Sequence, residues 1–389
     1  MAQHFDPTPD QRRALDNLVS QVADVQRTLV TNHPQLQQAD RGAHQQQLAG
    51  SRVELFVSPQ LPRELDRLGI FQPGAGGRIG IGRISTGLGC PHAETDADFL
   101  GLMVAFRAPD GQRVDFVTIN DPGAPTDTPT QFIALLKATA DAANGGQNAS
   151  LVDMFASQAR LLLALARHAG IHAPAIATQV IRQTARTTHS STAYQQYWTG
   201  VVSARGVLGK FTFVPAKELN GNRPAAARPR YLTDDWRARQ AAAPLEFHLY
   251  WIPFLDEPQT PLRDLTRAWV EHHRARVGTV VFPVVDATST HAKLEALLAS
   301  EMGANQGNWI EDDRHGRAFD LPATEYTAAR ALAYRVSQRL RHALADADYA
   351  SFFDHGVIPP ALASELLRRY QAKRAAGHWV PDVGEVLPA

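Results

Sequence analysis

Apolar residues recur at helical spacing near the start of the chain. Between about Asp10 and Val30 they lie three or four positions apart, the pattern of an amphipathic helix with one buried face. The His33-Pro34 pair is expected to end this helix, because the residue before a proline disfavours helical backbone. The sequence therefore predicts an N-terminal helical arm at residues 1–34.

Short apolar or alternating segments after this arm predict β-strands. Alternation with a period of two is typical of a strand with one buried face, and turn residues such as Pro109-Asp110-Gly111 separate the segments. The predicted strands cover residues 53–57, 78–85, 102–107, 114–119, 209–214, 245–252 and 277–285.

Helical periodicity returns in three later regions. We expect helices within an insertion at about residues 131–200, from 325 to about 346, and in a Leu- and Arg-rich stretch after 361. The Pro-, Ala- and Arg-rich run at 222–230 is expected to be a surface loop. Because strands and helices do not alternate regularly, the order of elements predicts a mixed, mainly antiparallel α+β fold.

Composition narrows the class of protein. Hydrophobic residues make up 44% of the chain and charged residues 20%, which is ordinary for a folded domain. Basic and acidic residues both number 39, so no positive field exists to attract nucleic acid. The N-terminus lacks a signal-peptide pattern, and no apolar run is long enough to span a bilayer. We therefore expect a cytoplasmic protein with no membrane span.

Cysteine and glycine usage exclude several kinds of site. Cys90 is the single cysteine, which rules out an internal disulfide framework and thiolate clusters for zinc or iron–sulfur centres. The glycine run at 74–80 leads into a predicted strand, whereas a dinucleotide-binding loop must open a helix. Three polar clusters could be proposed as metal ligands, but none has a spacing that defines a metal site, and solvated loops or helix faces are the simplest interpretation. They are His272-His273, His92 with Glu94 and Asp96, and Asp312-Asp313 with His315.

A tyrosine and an arginine four residues apart lie within the helix predicted from 325. At this spacing Arg330 and Tyr334 share one helix face, so the guanidinium can donate a hydrogen bond to the phenol oxygen and favour phenolate. A phenolate is one of the few axial ligands that proteins give haem iron. Arg339 and Arg341 follow on the same helix and are candidate partners for haem propionates.

Four short motifs occur in an order that resembles the haem catalase superfamily. They are Arg41-Gly-Ala-His44, Arg83-Ile-Ser85-Thr86, residues 115–122 with Asn120 two positions before a proline, and Arg330-Ala-Leu-Ala-Tyr334. Their separations are also similar to those of the family. The resemblance implies a catalase-like antiparallel β-barrel core with a helical insertion and C-terminal helices. It places a haem-binding domain at about 35–345 and a C-terminal helical tail at 346–389.

The resemblance implies a role for each residue on the distal side of a haem b. His44 matches the family's distal histidine, and Ser85 matches the serine that hydrogen-bonds to it. Asn120 matches the distal asparagine, which would orient a bound peroxide. Phe132 could supply the ring that stacks on the haem, although its register with the family is not fixed.

The proximal side and the propionates have matching residues as well. Tyr334 would be the axial ligand of the iron, with Arg330 hydrogen-bonded to it. The arginines that match propionate-binding positions are Arg41, Arg83 and Arg341.

These roles imply a haem-dependent peroxidase or catalase-like oxidoreductase that cleaves the O–O bond of hydrogen peroxide or an organic hydroperoxide. A neutral histidine can relay the proton that this cleavage requires. Two alternatives remain open: conversion or oxygenation with a fatty-acid hydroperoxide, and haem binding without turnover. Family members often form homo-oligomers, so the resemblance also implies a possible homo-oligomer.

The sequence departs from the family around both distal residues. After Asn120, an aromatic, acid-terminated run is replaced by Asp121-Pro-Gly-Ala-Pro-Thr126, and after His44 a glycine-rich segment is replaced by residues 45–50. The chain is also shorter than a full-length catalase. These differences predict a small or divergent member with a modified distal pocket.

Overall fold

Antiparallel strands form a closed barrel in the computed structural model of the protein. The structure describes residues 8–32, 41–72, 77–89, 91–95, 98–142, 151–185, 191–204, 207–217, 229–306 and 324–384. The strands are β1 (Gln47–Val57), β2 (Arg78–Thr86), β3 (Leu100–Arg107), β4 (Arg113–Ile119), β5 (Tyr197–Thr199), β6 (Val202–Ala204), β7 (Val207–Pro215), β8 (Leu245–Pro253) and β9 (Ala275–Phe282).

Pairing between distant strands closes this sheet. The strand order is β5-β4-β3-β2-β1-β9-β8-β7-β6, and β5 also pairs with β7. Eight strands therefore form the closed ring, and β6 is an additional strand that pairs with β7. Closure gives each of these eight strands a hydrogen-bonded neighbour on both sides.

Aromatic side chains fill the interior of the barrel. The ring of Phe211 stacks on Phe71 at a centroid distance of 5.6 Å, meets Phe116 edge-on at 5.1 Å and lies 4.7 Å from Trp251. All four residues are almost fully buried. Alternation along each strand directs such residues inward and leaves the next residue on the outer face.

Helices surround the barrel. They are α1 (Pro9–Asn32), α2 (Pro129–Ala142), α3 (Leu151–Ala169), α4 (Ala173–Ala185), α5 (Tyr231–Ala242), α6 (Thr290–Glu301), α7 (Glu325–Leu340), α8 (Asp346–His355) and α9 (Pro360–Ala375). Part of the outer face of β2 and β3, with Ile81 and Met103, packs against α6, α8 and α9 in a second apolar core.

The N-terminal helix packs against α2 and α7, outside the barrel. Leu15 contacts Ala328 and Ala329 of α7, and Val22 lies between α2 and α7 with Ile133. The helix that carries Arg330 and Tyr334 is therefore covered by the first helix of the chain.

Most predicted elements are confirmed, as is the mainly antiparallel α+β fold. The strand predicted at 277–285 ends at Phe282, because a proline follows and cannot donate to the ladder. The helix predicted to reach about 346 ends at Leu340, where His342 adopts a left-handed φ of 51°. The strands β5 and β6 and the helices α5 and α6 were not predicted.

Some sequence predictions lie partly or wholly outside the described residues. These are the loop at 222–230 up to residue 228, Cys90, Asp96, residues 74–76 of the glycine run, and Asp312-Asp313 with His315. The division into arm, haem-binding domain and tail stays a prediction. Among the described helices, none has both the length and the apolar character needed to cross a membrane.

Removing the ring at the centre of the barrel should destabilise the fold. Phe211→Ala leaves a cavity between Phe71, Phe116 and Trp251, and we expect it to lower the free energy of unfolding by about 3–5 kcal/mol. Urea denaturation measures this loss. Leu163→Ala, at an exposed position of α3, is the control and should change the free energy by less than about 0.5 kcal/mol. Equal effects of the two changes would contradict the packing.

Candidate functional site

His44 lies just before β1 in an unusual backbone conformation. Its φ is 54°, in the left-handed region that non-glycine residues adopt only when their surroundings enforce it. Its backbone N–H donates to the carbonyl of Gly87 at 2.8 Å, and its carbonyl accepts from the guanidinium of Arg83 at 2.7 Å. Hydrogen bonds at its backbone N–H and carbonyl therefore fix the orientation of the His44 backbone.

The His44 ring lies against the outer face of β2 and β3. Its Nδ1 is 3.1 Å from the hydroxyl oxygen of Ser85, the pair that the resemblance implied. A Cβ on Gly101 would lie 2.7 Å from both Nδ1 and Cε1 of the ring, so only glycine fits beneath it. Gly101 pairs with Ser85 across β2 and β3. The ring therefore has a seat built from two neighbouring strands.

The electrostatic surroundings of His44 favour its neutral form. Burial of the ring, and after it the positive charges of Arg83, Arg330 and Arg41, lower the pKa of His44 from 6.5 to about 3. The imidazole is consequently uncharged at neutral pH and can accept a proton. The guanidinium of Arg330, on α7, is among the charges close enough to act on this ring.

Asn120 follows β4 at the same end of the strands. Its backbone N–H donates to the carbonyl of Leu100 at 3.0 Å, and its side-chain oxygen accepts from the Leu100 N–H at 2.8 Å. Leu100 directly precedes Gly101, on which the His44 ring lies. The Nδ2 atom of Asn120 is buried and has no hydrogen-bond partner among the described residues. A buried donor of this kind is rare and can bind a ligand oxygen.

Three arginines from distant parts of the chain meet near the C-terminal end of α6. Arg41 donates to the carbonyl of Ser300 at 2.7 Å, and Arg341 donates to the same carbonyl at 3.3 Å and to that of Met302 at 2.8 Å. The carbonyls at a helix C-terminus carry partial negative charge and attract these cations.

The third arginine of this group is Arg83. Burial, and after it the charge of Arg341, lower the pKa of Arg83 to about 9. Its hydrogen bonds within the described structure go to the neutral oxygens of His44, Gln45 and Gln47. Closely spaced buried guanidiniums are suited to carboxylates such as the two propionates of a haem.

Arg330 and Tyr334 share one face of α7, as their spacing predicts. The guanidinium nitrogen Nη2 of Arg330 is 3.4 Å from the phenol oxygen of Tyr334. Asn305 connects α7 to the barrel, because its amide donates to the Ala331 carbonyl at 3.1 Å and its backbone N–H donates to Asp115 of β4 at 2.7 Å. The strand β4 and the helix α7 are thus linked through one loop residue.

Phe132, the candidate for a ring stacked on a haem, packs against another aromatic residue. Its ring meets that of Tyr326 edge-on, with a centroid distance of 5.8 Å, near the start of α7. Tyr326 lies two turns before Tyr334, and the charge of Arg330 acts on both phenols. Stacking of Phe132 on a haem stays a prediction.

Sequence reasoning missed Lys210, a buried lysine on the outer face of β7. Its ammonium lies 4.9 Å from the centre of the Trp269 ring and donates to the carbonyl of Pro122 at 3.3 Å. Burial, and after it the charge of Arg330, lower the pKa of Lys210 to about 8. The signal was present in the sequence, because Lys210 is the only charged residue in the strand-like run at 207–214.

His92 and Glu94, which lie close together in the sequence, have separate hydrogen-bond partners. His92 pairs with Asp98 at 3.0 Å, and Glu94 accepts the backbone N–H groups of Leu232 and Thr233 at the start of α5. Within the described residues there is no group of three or more His, Cys, Asp or Glu side chains that could hold a metal ion.

The low pKa of His44 makes a prediction about acid stability. Between pH 6.5 and about 3 the unfolded chain binds a proton at this position and the folded chain does not, so stability falls as pH falls through this window. In haem-free protein this loss reaches up to about 5 kcal/mol at the acid end of the window.

His44→Gln removes that contribution. We expect its free energy of unfolding, measured with urea at pH 7.0, 5.5 and 4.5, to decline less steeply than that of the unmodified protein. Other titrating groups are common to both proteins and cancel in the comparison. Parallel declines in the two proteins would contradict the assignment of a buried, neutral His44.

Comparisons with known proteins bear on the fold. No family model matches the sequence, and no curated protein matches it. Among solved structures, a bacterial catalase gives a TM-score of 0.57 at 19% identity, over 80% of this chain and 59% of that one. Catalase A from Saccharomyces cerevisiae gives 0.57 at 16% identity, over 77% and 61%, and a fungal catalase gives 0.52 at 19%, over 77% and 59%.

These matches concern the shape of the chain. Each covers most of this protein, whereas the chain spans only about three fifths of the length of each catalase. At such low identities, structural similarity establishes the fold and leaves the activity open. The resemblance carried by the four motifs is confirmed at that level: the chain has the catalase fold.

Proposed function

We propose that the protein is a haem-dependent, catalase-like oxidoreductase that cleaves the O–O bond of hydrogen peroxide or an organic hydroperoxide. The observation that carries this proposal is a convergence. His44 on Ser85 and the buried unsatisfied amide of Asn120 lie on neighbouring strands, and the charge of Arg330, which pairs with Tyr334, acts on the neutral His44 ring. The catalase fold supports the same function.

The residues present fit haem b as the cofactor. Tyr334 would bind the iron through its phenol oxygen, and Arg330 would favour the phenolate by hydrogen bonding. The two propionates would contact the arginine group formed by Arg41, Arg83 and Arg341. When bound, haem supplies a ferric iron that exchanges electrons with peroxide.

His44 would move the proton that O–O cleavage requires. With its Nδ1 proton directed to Ser85, the Nε2 atom carries a lone pair and can take a proton from the oxygen that will stay in the pocket. It then returns this proton to the departing oxygen, which leaves as water or an alcohol. The seat on Gly101 keeps the ring in one orientation during both transfers.

Asn120 would orient the peroxide. Its Nδ2 group is the donor left over after the side-chain oxygen has bound the Leu100 N–H, so the amide cannot rotate without losing that bond. A fixed donor at this point fits a peroxide oxygen, which accepts hydrogen bonds. Substrate position and proton transfer thus depend on adjacent strands.

Absorption spectroscopy of haem-reconstituted protein tests cofactor binding. We expect a Soret band with high-spin ferric features in the unmodified protein and an altered band in Tyr334→Phe, because the phenolate ligand is lost. Tyr326→Phe is a matched control on the same helix, since this buried phenol also lies near Arg330 but is not expected to bind iron. Absence of any Soret band from bound haem would overturn the proposal.

The peroxide reaction separates an enzyme from a haem carrier. His44→Ala should slow the reaction with hydrogen peroxide by about 10²- to 10⁴-fold and leave haem content unchanged, because only proton transfer is lost. Stopped-flow absorption measures this rate. The exposed His273 supplies the control, and His273→Ala should react normally.

The same experiment with cumene hydroperoxide distinguishes the substrate classes. Faster reaction with the organic oxidant favours an organic hydroperoxide as the substrate, and faster reaction with hydrogen peroxide favours catalase or peroxidase activity. A rate that does not depend on His44 with either oxidant would support a non-catalytic haem protein instead.

A further inference from the structure

The left-handed backbone of His44 requires an external cause. Non-glycine residues avoid this conformation because their Cβ atom clashes with the backbone. Besides the bond from Arg83 to its carbonyl, the backbone of this segment bonds to a two-residue turn after β2: the Gly87 carbonyl accepts from His44 at 2.8 Å, and the Leu88 carbonyl accepts from Gln45 at 3.0 Å. The position of His44 therefore depends on what fixes Gly87 and Leu88.

One carboxylate oxygen binds both residues of that turn from the opposite side. Oδ2 of Asp98 accepts the N–H of Gly87 at 2.7 Å and that of Leu88 at 3.0 Å. The turn is thus bonded through its amides to Asp98 and through its carbonyls to the His44-Gln45 backbone. Hydrogen bonds arranged in series across a peptide strengthen one another.

Asp98 is itself fixed by further contacts. Its Oδ2 lies 3.0 Å from Nε2 of His92, and its Oδ1 accepts the N–H of Phe99 at 2.7 Å. A Cβ on Gly87 would lie 2.9 Å from Oδ1 and 2.8 Å from Cβ of Phe99, so the carboxylate is packed directly on the turn. The backbone N–H of His92 in turn donates to the side chain of Gln46 at 2.9 Å, beside His44.

The contacts of this carboxylate define its chemical state. Four donors surround it, and an ionised carboxylate can accept from all of them, whereas a protonated one brings a donor of its own. Nδ1 of His92 is buried without a hydrogen-bond partner among the described residues, so the ring contacts Asp98 through Nε2. Burial raises the pKa of Asp98 to about 6, against the opposing effects of His92 and the backbone amides, so the carboxylate is mostly ionised at neutral pH.

We propose that Asp98, paired with His92, is a positioning residue for His44: through the Gly87-Leu88 turn it enforces the left-handed backbone that seats the His44 ring on Ser85 and Gly101. The chemical purpose of this arrangement rests on the proposed function, in which His44 moves a proton. Its geometry does not depend on haem and can be tested without it.

Glu94 provides a matched control in the same loop. It is 4% exposed, compared with 5% for Asp98, and it also accepts several hydrogen bonds, from the N–H groups of Leu232 and Thr233 and from the Thr233 hydroxyl. Its partners lie in α5 and not beside His44. Asp98→Asn and Glu94→Gln therefore remove a buried charge of similar environment, and only the first should affect His44.

The test follows the His44 ring by NMR in the full-length, haem-free protein. Histidines labelled with ¹³C at Cε1 are titrated between pH 4.5 and 8, and the His44 signal is identified by its loss in His44→Gln. We expect a flat His44 signal in the unmodified protein and in Glu94→Gln. In Asp98→Asn the ring moves toward solvent, which raises the pKa of His44 toward its ordinary value of 6.5, so its signal should shift with pH within the titrated range.

A second variant keeps the test decisive if Asp98→Asn does not fold. His92→Leu removes one donor from Asp98 but leaves both backbone amides, and it should raise the His44 midpoint by a smaller amount. A His44 signal that is unchanged in every folded variant of this pair, or moved as far by Glu94→Gln, would overturn the proposal and leave Asp98 as a simple loop contact.

The reconstituted protein supplies an independent measurement. Asp98→Asn should lower kcat for peroxide by about tenfold or more with little change in KM, since a displaced proton acceptor slows the chemical step. Failure of the unmodified protein to bind haem would end the proposed function, but the NMR result would still decide the role of Asp98. The two proposals can thus fail separately.

Discussion

The register of β2, β3 and β4 is the constraint on which the candidate site depends. Ser85 pairs with Gly101, and Asn120 bonds to Leu100. The end of β2, the start of β3 and the end of β4 therefore lie side by side at one end of the barrel. A slip of one residue in any pair would turn its outward side chains into the aromatic interior. The inner core therefore fixes the chemistry on the outer face, since the interior rings accept only one register.

The arginine group shows how a charged site can be stabilised before any ligand is present. Carbonyls at the end of α6 bind Arg41 and Arg341, and the side chain of Glu301 at that helix end binds Lys373 of α9 at 2.7 Å. The C-terminal helix thus neutralises the one carboxylate that ends α6, while the backbone of the same turn faces the site. The backbone carbonyls at this helix end supply partial negative charge to the guanidiniums of Arg41 and Arg341.

Sequence patterns predicted the local features well. Helical and strand periodicity located most elements, and the i, i+4 spacing of Arg330 and Tyr334 correctly placed the two side chains together. The helix α6 was missed because residues on all of its faces are buried, so it lacks an amphipathic pattern. The strand β5 was missed because three residues are too few to show alternation.

Features that depend on long-range contacts could not be predicted in the same way. The left-handed φ of His44 is set by a turn some forty residues later in the chain. The residues next to His44 in the sequence do not indicate this conformation. His92 was grouped with Glu94 and Asp96 by proximity in sequence, whereas its partner is Asp98. Spacing along the chain identifies residues that can share a helix face, but it does not identify which loops meet across a barrel.

The packing of α1 on α7 has a consequence for the order of events during synthesis. Leu15 and Val22 leave the ribosome early, and their partners Ala328 and Ala333 follow only after the whole barrel. Val22 can pack on Ile133 of α2 well before α7 is made, whereas Leu15 has its apolar partners only in α7 among the described residues and so waits for most of the chain. The helix α7 follows β9, the last barrel strand, so the face that bears Tyr334 is synthesised only after every barrel strand.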